Sequence, residues 1–238
     1  MTQSRIDEIA DGVAAVRRRI DAARREAGRV DTVDLVVVTK TFPASDVAIL
    51  EGLGIRDVAE NRDQEARGKR DEIRARGQGD DAVTWHMIGQ VQRKKAASVV
   101  HWADVVESVD RPELVAALGR AAVGADRRIE VLVQVALDPV PRPDRGGVAP
   151  AGAVDLAAAV VAEPMLELRG VMGVAPFPGD PDEAFARLAE VSRAFQARWP
   201  AAGTVSAGMS GDLEQAIRHG ATQVRVGGAI LGARAAVQ

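Results

Sequence analysis

The sequence predicts a (β/α)8 TIM barrel, an α/β fold, with an additional N-terminal helix, and two observations support this prediction. Short, β-branched, apolar segments alternate with longer amphipathic segments, as strands and helices do around a parallel sheet. The alternation supplies eight strand-then-helix units, and the 238 residues of the chain suit a barrel of this kind. A doubly wound open sheet remains the alternative, because local patterns do not show whether a sheet closes.

The first predicted element is the helix that precedes the barrel. Ile6, Ile9, Val13, Val16 and Ile20 recur at helical spacing, with polar residues between them. This spacing indicates an amphipathic helix with one buried face.

Eight strands are predicted after this helix, each from a short apolar run. They cover residues 34–40, 57–60, 85–88, 105–109, 129–137, 168–174, 204–206 and 223–227. Pro112 and Pro181 stand at the predicted starts of two intervening helices, where a missing backbone N–H costs little. One domain over residues 1–238 is expected, with a Pro- and Gly-rich loop at 138–150 that stands open over a strand end.

Composition argues against several classes of protein. The 31 Lys and Arg against 34 Asp and Glu give no field that would attract nucleic acid or an anionic membrane. An aromatic content of 3% leaves little for stacking bases. The chain has no cysteine, which fits a cytoplasmic protein. Because the first ten residues are polar and no apolar run approaches about 20 residues, we expect no signal peptide and no membrane span.

Motif searches give negative results. The sequence contains no GxGxxG fingerprint, no P-loop, no HExxH pair and no GxSxG elbow. Its three histidines are scattered, so a metal site has little support.

Lys40 is the lysine that the pattern singles out. It ends the apolar run 35–39, and the carboxyl ends of barrel strands direct side chains into the active-site mouth. Apolar surroundings lower the pKa of an amine, and a neutral amine can attack an aldehyde to form an imine. From this run alone, a cation that reaches from a strand end to water is the more frequent explanation. Lys69, Lys94 and Lys95 lie in polar, helix-like stretches, and we expect them to be solvated.

Two turns near the C-terminus predict an anion site. The segment Ser206-Ala207-Gly208-Met209-Ser210 precedes one helix, and Arg225-Val226-Gly227-Gly228 opens another. Hydroxyls and backbone N–H groups at helix starts bind anions, and the loops after strands seven and eight often hold phosphate in barrels. Each turn taken singly is more often only a turn. Together with Lys40, they indicate a phosphate site that faces an amine.

Asn61 and His86 are weaker candidates. Asn61 follows the second strand and could donate a hydrogen bond to a ligand near Lys40, although a helix cap is the slightly favoured interpretation of the segment alone. His86 lies on the third strand and faces either a ligand or the core, and a lone strand histidine is more often structural.

Six short segments occur in a distinctive order along the chain. They are Val38-Thr39-Lys40-Thr41, Glu60-Asn61-Arg62-Asp63-Gln64-Glu65, Trp85-His86-Met87-Ile88-Gly89, Leu168-Arg169-Gly170-Val171-Met172, Ser206-Ala207-Gly208-Met209-Ser210 and Val224-Arg225-Val226-Gly227. Together they resemble the YggS/PROSC-like pyridoxal phosphate homeostasis proteins, which are related to the alanine racemase N-terminal barrel. Each segment is modest alone, whereas six in order are specific.

The resemblance implies that Lys40 holds pyridoxal 5′-phosphate (PLP) as an internal aldimine, a Schiff base. It places Asn61 near the ring hydroxyl and Arg225 opposite the pyridine nitrogen, with His86 as a further cofactor-binding candidate. The residues that it places around the phosphate are Ser206, Met209, Ser210, Gly227 and Gly228. The chain departs from the family where Tyr, Asn and Thr are frequent, since it has Arg62, Lys94 and Gly228 at those positions.

The resemblance further implies a non-catalytic carrier that maintains intracellular PLP (vitamin B6) levels and serves PLP-dependent apoenzymes. Racemisation needs acid–base groups on both faces of the reacting carbon. Related racemases use a lysine and a tyrosine from a second domain, and this chain has no tyrosine. An arginine at the pyridine nitrogen also weakens the cofactor as an electron sink. A monomer with no nucleic-acid or membrane partner is expected.

Three alternatives stay open at this point. The first is an amino-acid racemase of the same fold, in which His86 or a water supplies the second base. The second is a class I aldolase that uses Lys40 without a cofactor. The third is a protein-interaction module that uses the basic segment at residues 92–95.

Overall fold

The computed structural model describes residues 2–75, 83–140, 142 and 145–232 of the chain. Eight parallel strands form a closed barrel in sequence order, and the last strand pairs with the first. In chain order, β1 to β8 are Asp34–Val38, Asp57–Glu60, Thr84–Met87, Val105–Val109, Ile129–Val135, Leu166–Gly173, Thr204–Ser206 and Gln223–Val226. Closure confirms the predicted (β/α)8 barrel and excludes the open sheet. One domain over residues 1–238 remains a prediction.

Helices cover the outside of the barrel. In chain order, α1 to α9 are Gln3–Glu26, Ala44–Gly52, Asp63–Ala75, Ala96–Trp102, Pro112–Gly124, Ala153–Val161, Pro181–Arg198, Leu213–Arg218 and Gly228–Leu231. The predicted N-terminal helix is α1, and Pro112 and Pro181 begin α5 and α7 as expected. Within the described residues, no helix is both long enough and apolar enough to cross a membrane.

The predicted strands differ from the observed ones mainly at their ends. β2, β4 and β7 agree with the prediction, while β1, β5 and β8 differ by one or two residues at one end and β3 and β6 differ at both ends. Further apolar residues follow the ends of β5 and β6, namely Ala136, Leu137 and Val174, so composition alone does not show where pairing stops. As a result, Lys40 lies in a turn beyond the end of β1 at Val38.

The buried apolar side chains of the described residues form two separate clusters. The larger one lies between the strands and the surrounding helices. The smaller one lies inside the barrel and consists of Val36, Val38 and Ala59, with Ile88 packed against it. Polar side chains occupy the rest of the barrel interior, and they include the fully buried Glu107 and Ser206.

The loop at 138–150 is not open in its described part. The Val148 amide donates to Gln134 O at 2.8 Å, and the Ala136 amide donates to Val148 O at 2.9 Å. Arg145 pairs with Asp138 at 3.2 Å. These bonds tie the second half of the loop to the end of β5, because backbone groups close to a strand end complete their hydrogen bonding there. Residues 141, 143 and 144 of the predicted loop lie outside the described residues.

Candidate functional site

A cavity of about 370 Å³ opens at the carboxyl ends of the strands. Its lining residues are Val38, Lys40, Phe42, Ile88, Met209, Ser210, Arg225, Gly227, Gly228 and Gly232. Six of the nine predicted site residues therefore meet in one cavity, although they are far apart in sequence. Val38, Phe42, Ile88 and Gly232 were not predicted. Their signal was weak, because apolar residues and glycines near strand ends serve ordinary packing as often as ligand contact.

The turn that carries Lys40 is strongly constrained by hydrogen bonds. The Thr39 amide donates to Ala59 O at 3.0 Å, and the Phe42 amide closes the turn by donating to Thr39 O at 3.0 Å. Thr41 has a φ of 71°, which is rare for a residue that is not glycine and is kept only where the surroundings hold it. The Thr41 amide donates to a carboxylate oxygen of Glu65 on α3. The backbone on both sides of Lys40 is thus fixed by neighbouring elements.

Lys69 is buried beneath this turn, so the prediction that it is solvated was wrong. Its side chain is only 8% exposed, and Nζ lies 2.7 Å from Thr39 O, 2.7 Å from Glu60 Oε1 and 2.8 Å from Glu65 Oε1. Glu65 and Lys69 are four residues apart and therefore share the face of α3 that is turned to the barrel. Because both residues are charged, the sequence of α3 gave no sign that this face is buried. Lys94 and Lys95, by contrast, are exposed as predicted.

The two carboxylates around Lys69 respond oppositely to their surroundings. Burial raises the pKa of Glu60, and the charge of Lys69 opposes this only in part. Burial would also raise the pKa of Glu65, but hydrogen bonds from Lys69 and the Thr41 amide outweigh it and hold that pKa below its usual range. Lys69 is therefore the cation shared by the buried Glu60 and the partly buried Glu65, directly behind the turn that carries Lys40.

The two C-terminal turns are joined to each other. The Arg225 amide donates to Gly208 O at 2.9 Å, which ties the turn after β7 to β8. Gly208 has a φ of +90°, and a Cβ there would lie 2.7 Å from Ala216 Cβ on α8, so the turn requires glycine. A Cβ on Gly227 would lie 2.9 Å from Val38 O, whereas no packing neighbour among the described residues lies within 4 Å of a Cβ on Gly228. β8 thus approaches β1 closely at Gly227, and Gly228 leaves open space beside the cavity.

Ser206 is placed by the structure below the cavity rather than in its lining. Its Oγ donates to Glu107 Oε2 at 2.6 Å and accepts from Arg225 NH1 at 2.6 Å and from Gln223 Nε2 at 3.0 Å. Arg225 NH2 donates to Gly173 O at 2.9 Å. Arg225 is almost fully buried yet lines the cavity, so this cluster supports it from below.

His86 lies farther down the barrel interior. Its Nδ1 is 2.7 Å from Glu107 Oε1, and its Nε2 is 3.2 Å from Asp57 Oδ1. A carboxylate faces each ring nitrogen, an arrangement that suits an imidazolium, in which both nitrogens donate. Burial would lower the pKa of His86, but the hydrogen bonds to Asp57 and Glu107 raise it to about 9. His86 lines a cavity with Asp57 and Glu130 at the opposite end of the barrel from Lys40.

Asn61 lines a second depression beside the cavity. Its neighbours there include Arg62, Gln90 and Lys95. A Cβ on Gly89 would collide with the Asn61 carbonyl, so the turns after β2 and β3 pack against each other through that glycine. Asn61 and His86 are thus the two predicted residues that line other depressions, and Ser206 lies beneath the cavity.

Within the described residues, no group of three or more His, Cys, Asp or Glu side chains could hold a metal ion. The cavity instead combines the amine of Lys40, the guanidinium of Arg225, the hydroxyl of Ser210 and the backbone of the glycines Gly227 and Gly228. This donor set suits an anionic ligand that carries a carbonyl group.

Comparison with known proteins gives consistent results. The family model described as "Alanine racemase, N-terminal domain" matches residues 13–235. A pyridoxal phosphate homeostasis protein of Mycobacterium tuberculosis is 46% identical over 245 residues, covering 97% of this chain and 94% of the relative. A protein of the same name from Escherichia coli K12 is 33% identical over 237 residues, covering 96% and 98%.

Solved structures show the same likeness. PipY of Synechococcus elongatus, solved with PLP bound, has a TM-score of 0.77 and 30% identity, covering 94% of this chain and 100% of PipY. A protein of Bifidobacterium adolescentis has a TM-score of 0.87 and 32% identity, covering 97% of each chain. Alanine racemase of Corynebacterium glutamicum, at 17% identity and a TM-score of 0.65, shares the fold, and the likeness covers 98% of this chain and 63% of the racemase.

Proposed function

Because the chain belongs to the family of pyridoxal phosphate homeostasis proteins, whose barrel is that of the alanine racemase N-terminal domain, we propose that it binds PLP covalently through Lys40. Its role is to hold the cofactor and to release it to PLP-dependent apoenzymes, and so to maintain intracellular PLP (vitamin B6) homeostasis. Sustained catalysis is not part of this role.

One observation supports the proposal most strongly. Lys40, Arg225 and Ser210 line the same cavity, although they lie in two different turns and a strand that are far apart in the sequence. The residues present fit PLP, because they offer a primary amine for its aldehyde, cationic and hydroxyl groups for its charged parts, and apolar walls for its ring. Lys40 would supply the amine that condenses with this aldehyde, with the loss of one water.

The other lining residues are assigned to different parts of the ligand. We assign the phosphate to the Ser210 hydroxyl and to the backbone around Met209, Gly227 and Gly228. Gly228 supports this assignment because its open space lets a bulky group approach the backbone. Arg225 is assigned to the pyridine nitrogen. Asn61 and His86 line other depressions, and the proposal does not use them.

The composition of the cavity favours a carrier over a racemase. The described lining contains no carboxylate and no imidazole beside Lys40, and the sequence has no tyrosine. A racemase needs a second acid–base group on the far face of the reacting carbon. The curated relatives are named for homeostasis, which agrees with a carrier.

A visible absorption spectrum tests cofactor binding. We expect purified protein incubated with PLP to develop an absorbance band near the visible edge, and borohydride reduction to fix the label on Lys40 in a peptide map. Lys40→Ala is expected to lose both the band and the label. Lys95→Ala, which removes an exposed lysine, is the control and should retain them. A band that survives in Lys40→Ala, or a label on another lysine, would contradict the proposal.

A separate assay tests the absence of sustained catalysis. The PLP-loaded protein is incubated with several L-amino acids, and the mixture is examined for D-isomers on a chiral column. We expect no accumulation beyond that of free PLP. Continuous turnover that disappears in Lys40→Ala would replace the carrier role with a racemase role, while PLP binding would stand.

A further inference from the structure

We propose that Ser206 is a positioning residue for Arg225 and that its hydroxyl does not bind the phosphate of the ligand. This inference deepens the proposed function, on which it rests. Ser206 ends β7 and Ser210 lies in the turn that follows, and the short segment that contains both invites the same assignment for each from sequence. The structure separates them, since Ser210 lines the cavity and Ser206 is fully buried beneath it.

The hydrogen-bonding capacity of the Ser206 hydroxyl is already filled. A serine hydroxyl has one proton to donate and two lone pairs to accept with. The proton is directed to Glu107 Oε2 at 2.6 Å. The lone pairs accept from Gln223 Nε2 at 3.0 Å and from Arg225 NH1 at 2.6 Å. A phosphate oxygen needs a donor, and Ser206 has none left.

Glu107 determines the direction in which the Ser206 hydroxyl donates its proton. Its carboxylate is fully buried and also accepts from His86 at 2.7 Å and from Gln223 at 2.8 Å. Burial would raise the pKa of Glu107, but the hydrogen bond and charge of His86 outweigh it and hold that pKa low. Glu107 therefore stays ionised and can only accept. The Ser206 proton is consequently kept on the side away from Arg225.

Arg225 is thereby anchored at two of its nitrogens. NH1 donates to Ser206, and NH2 donates to Gly173 O at 2.9 Å on β6. A guanidinium has five N–H donors in a fixed fork, so two anchored nitrogens orient the others. Because Arg225 also lines the cavity, its hydrogen bond to Ser206 helps to determine which N–H groups of the guanidinium point toward the ring of the ligand.

This role predicts a different binding signature from that of a phosphate ligand. Pyridoxal has the ring and the aldehyde of PLP but no phosphate. Removing a residue that supports Arg225 should weaken the binding of pyridoxal and of PLP by the same factor, because both ligands have the same ring. Removing a phosphate ligand should weaken PLP alone.

The experiment compares Ser206→Ala with Ser210→Ala, using spectroscopic titration of each protein with PLP and with pyridoxal. We expect Ser206→Ala to weaken both ligands by a common factor of roughly five to ten, and Ser210→Ala to weaken PLP alone. The pH dependence of the bound-ligand band should shift in Ser206→Ala and not in Ser210→Ala, because the group beside the ring has moved. Ser206→Cys, which is nearly isosteric but a poor donor, should reproduce the common factor if the alanine variant folds poorly.

Two results would overturn the inference. One is a loss in Ser206→Ala or Ser206→Cys that is confined to PLP, since this identifies a phosphate ligand. The other is unchanged affinity for both ligands together with an unchanged pH profile. The proposed function fails by a different result, namely a wild-type protein that takes up no PLP at Lys40, so the two failures are distinguishable.

Discussion

The ammonium of Lys69 donates a 2.7 Å hydrogen bond to the carbonyl of Thr39, the residue immediately before Lys40. The same ammonium contacts Glu65, whose carboxylate in turn accepts from the amide of Thr41, the residue immediately after. α3 therefore fastens both sides of the turn that presents Lys40. Lys69, which is not itself a lining residue of the cavity, thus contributes to the geometry of the cavity through the backbone of this turn.

Lys69→Met should destabilise the protein strongly. The substitution keeps most of the side-chain volume but leaves Glu60, which is fully buried, without its cation. Breaking a buried ion pair costs about 3–5 kcal/mol in the free energy of unfolding. Urea denaturation measures this cost, and PLP titration of the folded fraction should show weaker binding. The matched control is Lys95→Met, whose side chain is 51% exposed and pairs with Asp63 at 3.4 Å, and it should cost less than about 1 kcal/mol. Equal effects of the two substitutions would rule out a fastening role for Lys69.

The buried imidazolium of His86 should make stability depend on pH. The pKa of His86 in the folded protein is about 9, against an ordinary value of 6.5. The folded state thus binds the proton more tightly, and the stabilisation is complete below about pH 6.5 and is lost as pH rises through about 9. Its magnitude is of the order of 3 kcal/mol. The carboxylates that face the ring come from β2 and β4, and Glu130 on β5 lines the same cavity.

His86→Gln tests this dependence, because glutamine is polar and carries no charge at any pH. Unfolding free energies measured across this window should fall with pH in the wild type and change much less in the variant. Nitrogen NMR of the wild type should show both ring nitrogens protonated at neutral pH. Parallel pH profiles for the two proteins would contradict the assignment of a buried imidazolium.

Gly227→Ala should damage both stability and cofactor binding. The added Cβ would lie 2.9 Å from Val38 O, a backbone atom of a barrel strand that cannot move aside easily. Overpacking of this kind costs about 1–3 kcal/mol, which thermal unfolding can detect. Gly228→Ala is the adjacent control, because its Cβ meets no neighbour within 4 Å in the part of the chain that the structure describes, and the change should be nearly neutral. A neutral Gly227→Ala would show that β1 and β8 are less closely packed than described.

Gly228→Thr should strengthen PLP binding. The position has room for a side chain, and a threonine hydroxyl there could donate to the phosphate. One additional hydrogen bond is worth about 1 kcal/mol, or roughly a fivefold gain in affinity. Titration with pyridoxal serves as the control, because a ligand without phosphate should gain nothing. A gain shared by both ligands would point to a general effect on the cavity.

Much of the fold could be predicted because each strand depends on local sequence. The runs that became β2, β4 and β7 have apolar or β-branched residues bounded by clear turns, and their limits agree with the structure. Closure of the sheet was inferred from the number of units rather than from any one of them. The pairing of β8 with β1 shows closure directly. This pairing joins residues far apart in the sequence, so local sequence patterns cannot predict it.

The candidate site was predictable where a residue's position on the barrel determines its place. Lys40 follows β1, and Gly227 and Gly228 follow β8, so both turns had to meet at the carboxyl end of the barrel. The direction in which a side chain points was harder to predict from the sequence. Ser206 ends β7 pointing inward to Glu107, and Lys69 lies on an otherwise polar helix, so sequence patterns favoured a ligand contact for one and solvent for the other.

The first and last described elements of the chain are in direct contact. α1 packs so closely on α9 that a Cβ on Gly12 would lie 2.7 Å from Ile230 O, and Arg5 donates to Leu231 O at 3.1 Å. The cavity likewise combines Lys40 with residues 225–228. On the ribosome, the cavity can therefore form only after residues 225–228 have left the exit tunnel. A bound cofactor would then report that β8 has paired with β1, since a nascent chain that stops before residue 225 lacks one wall of the cavity.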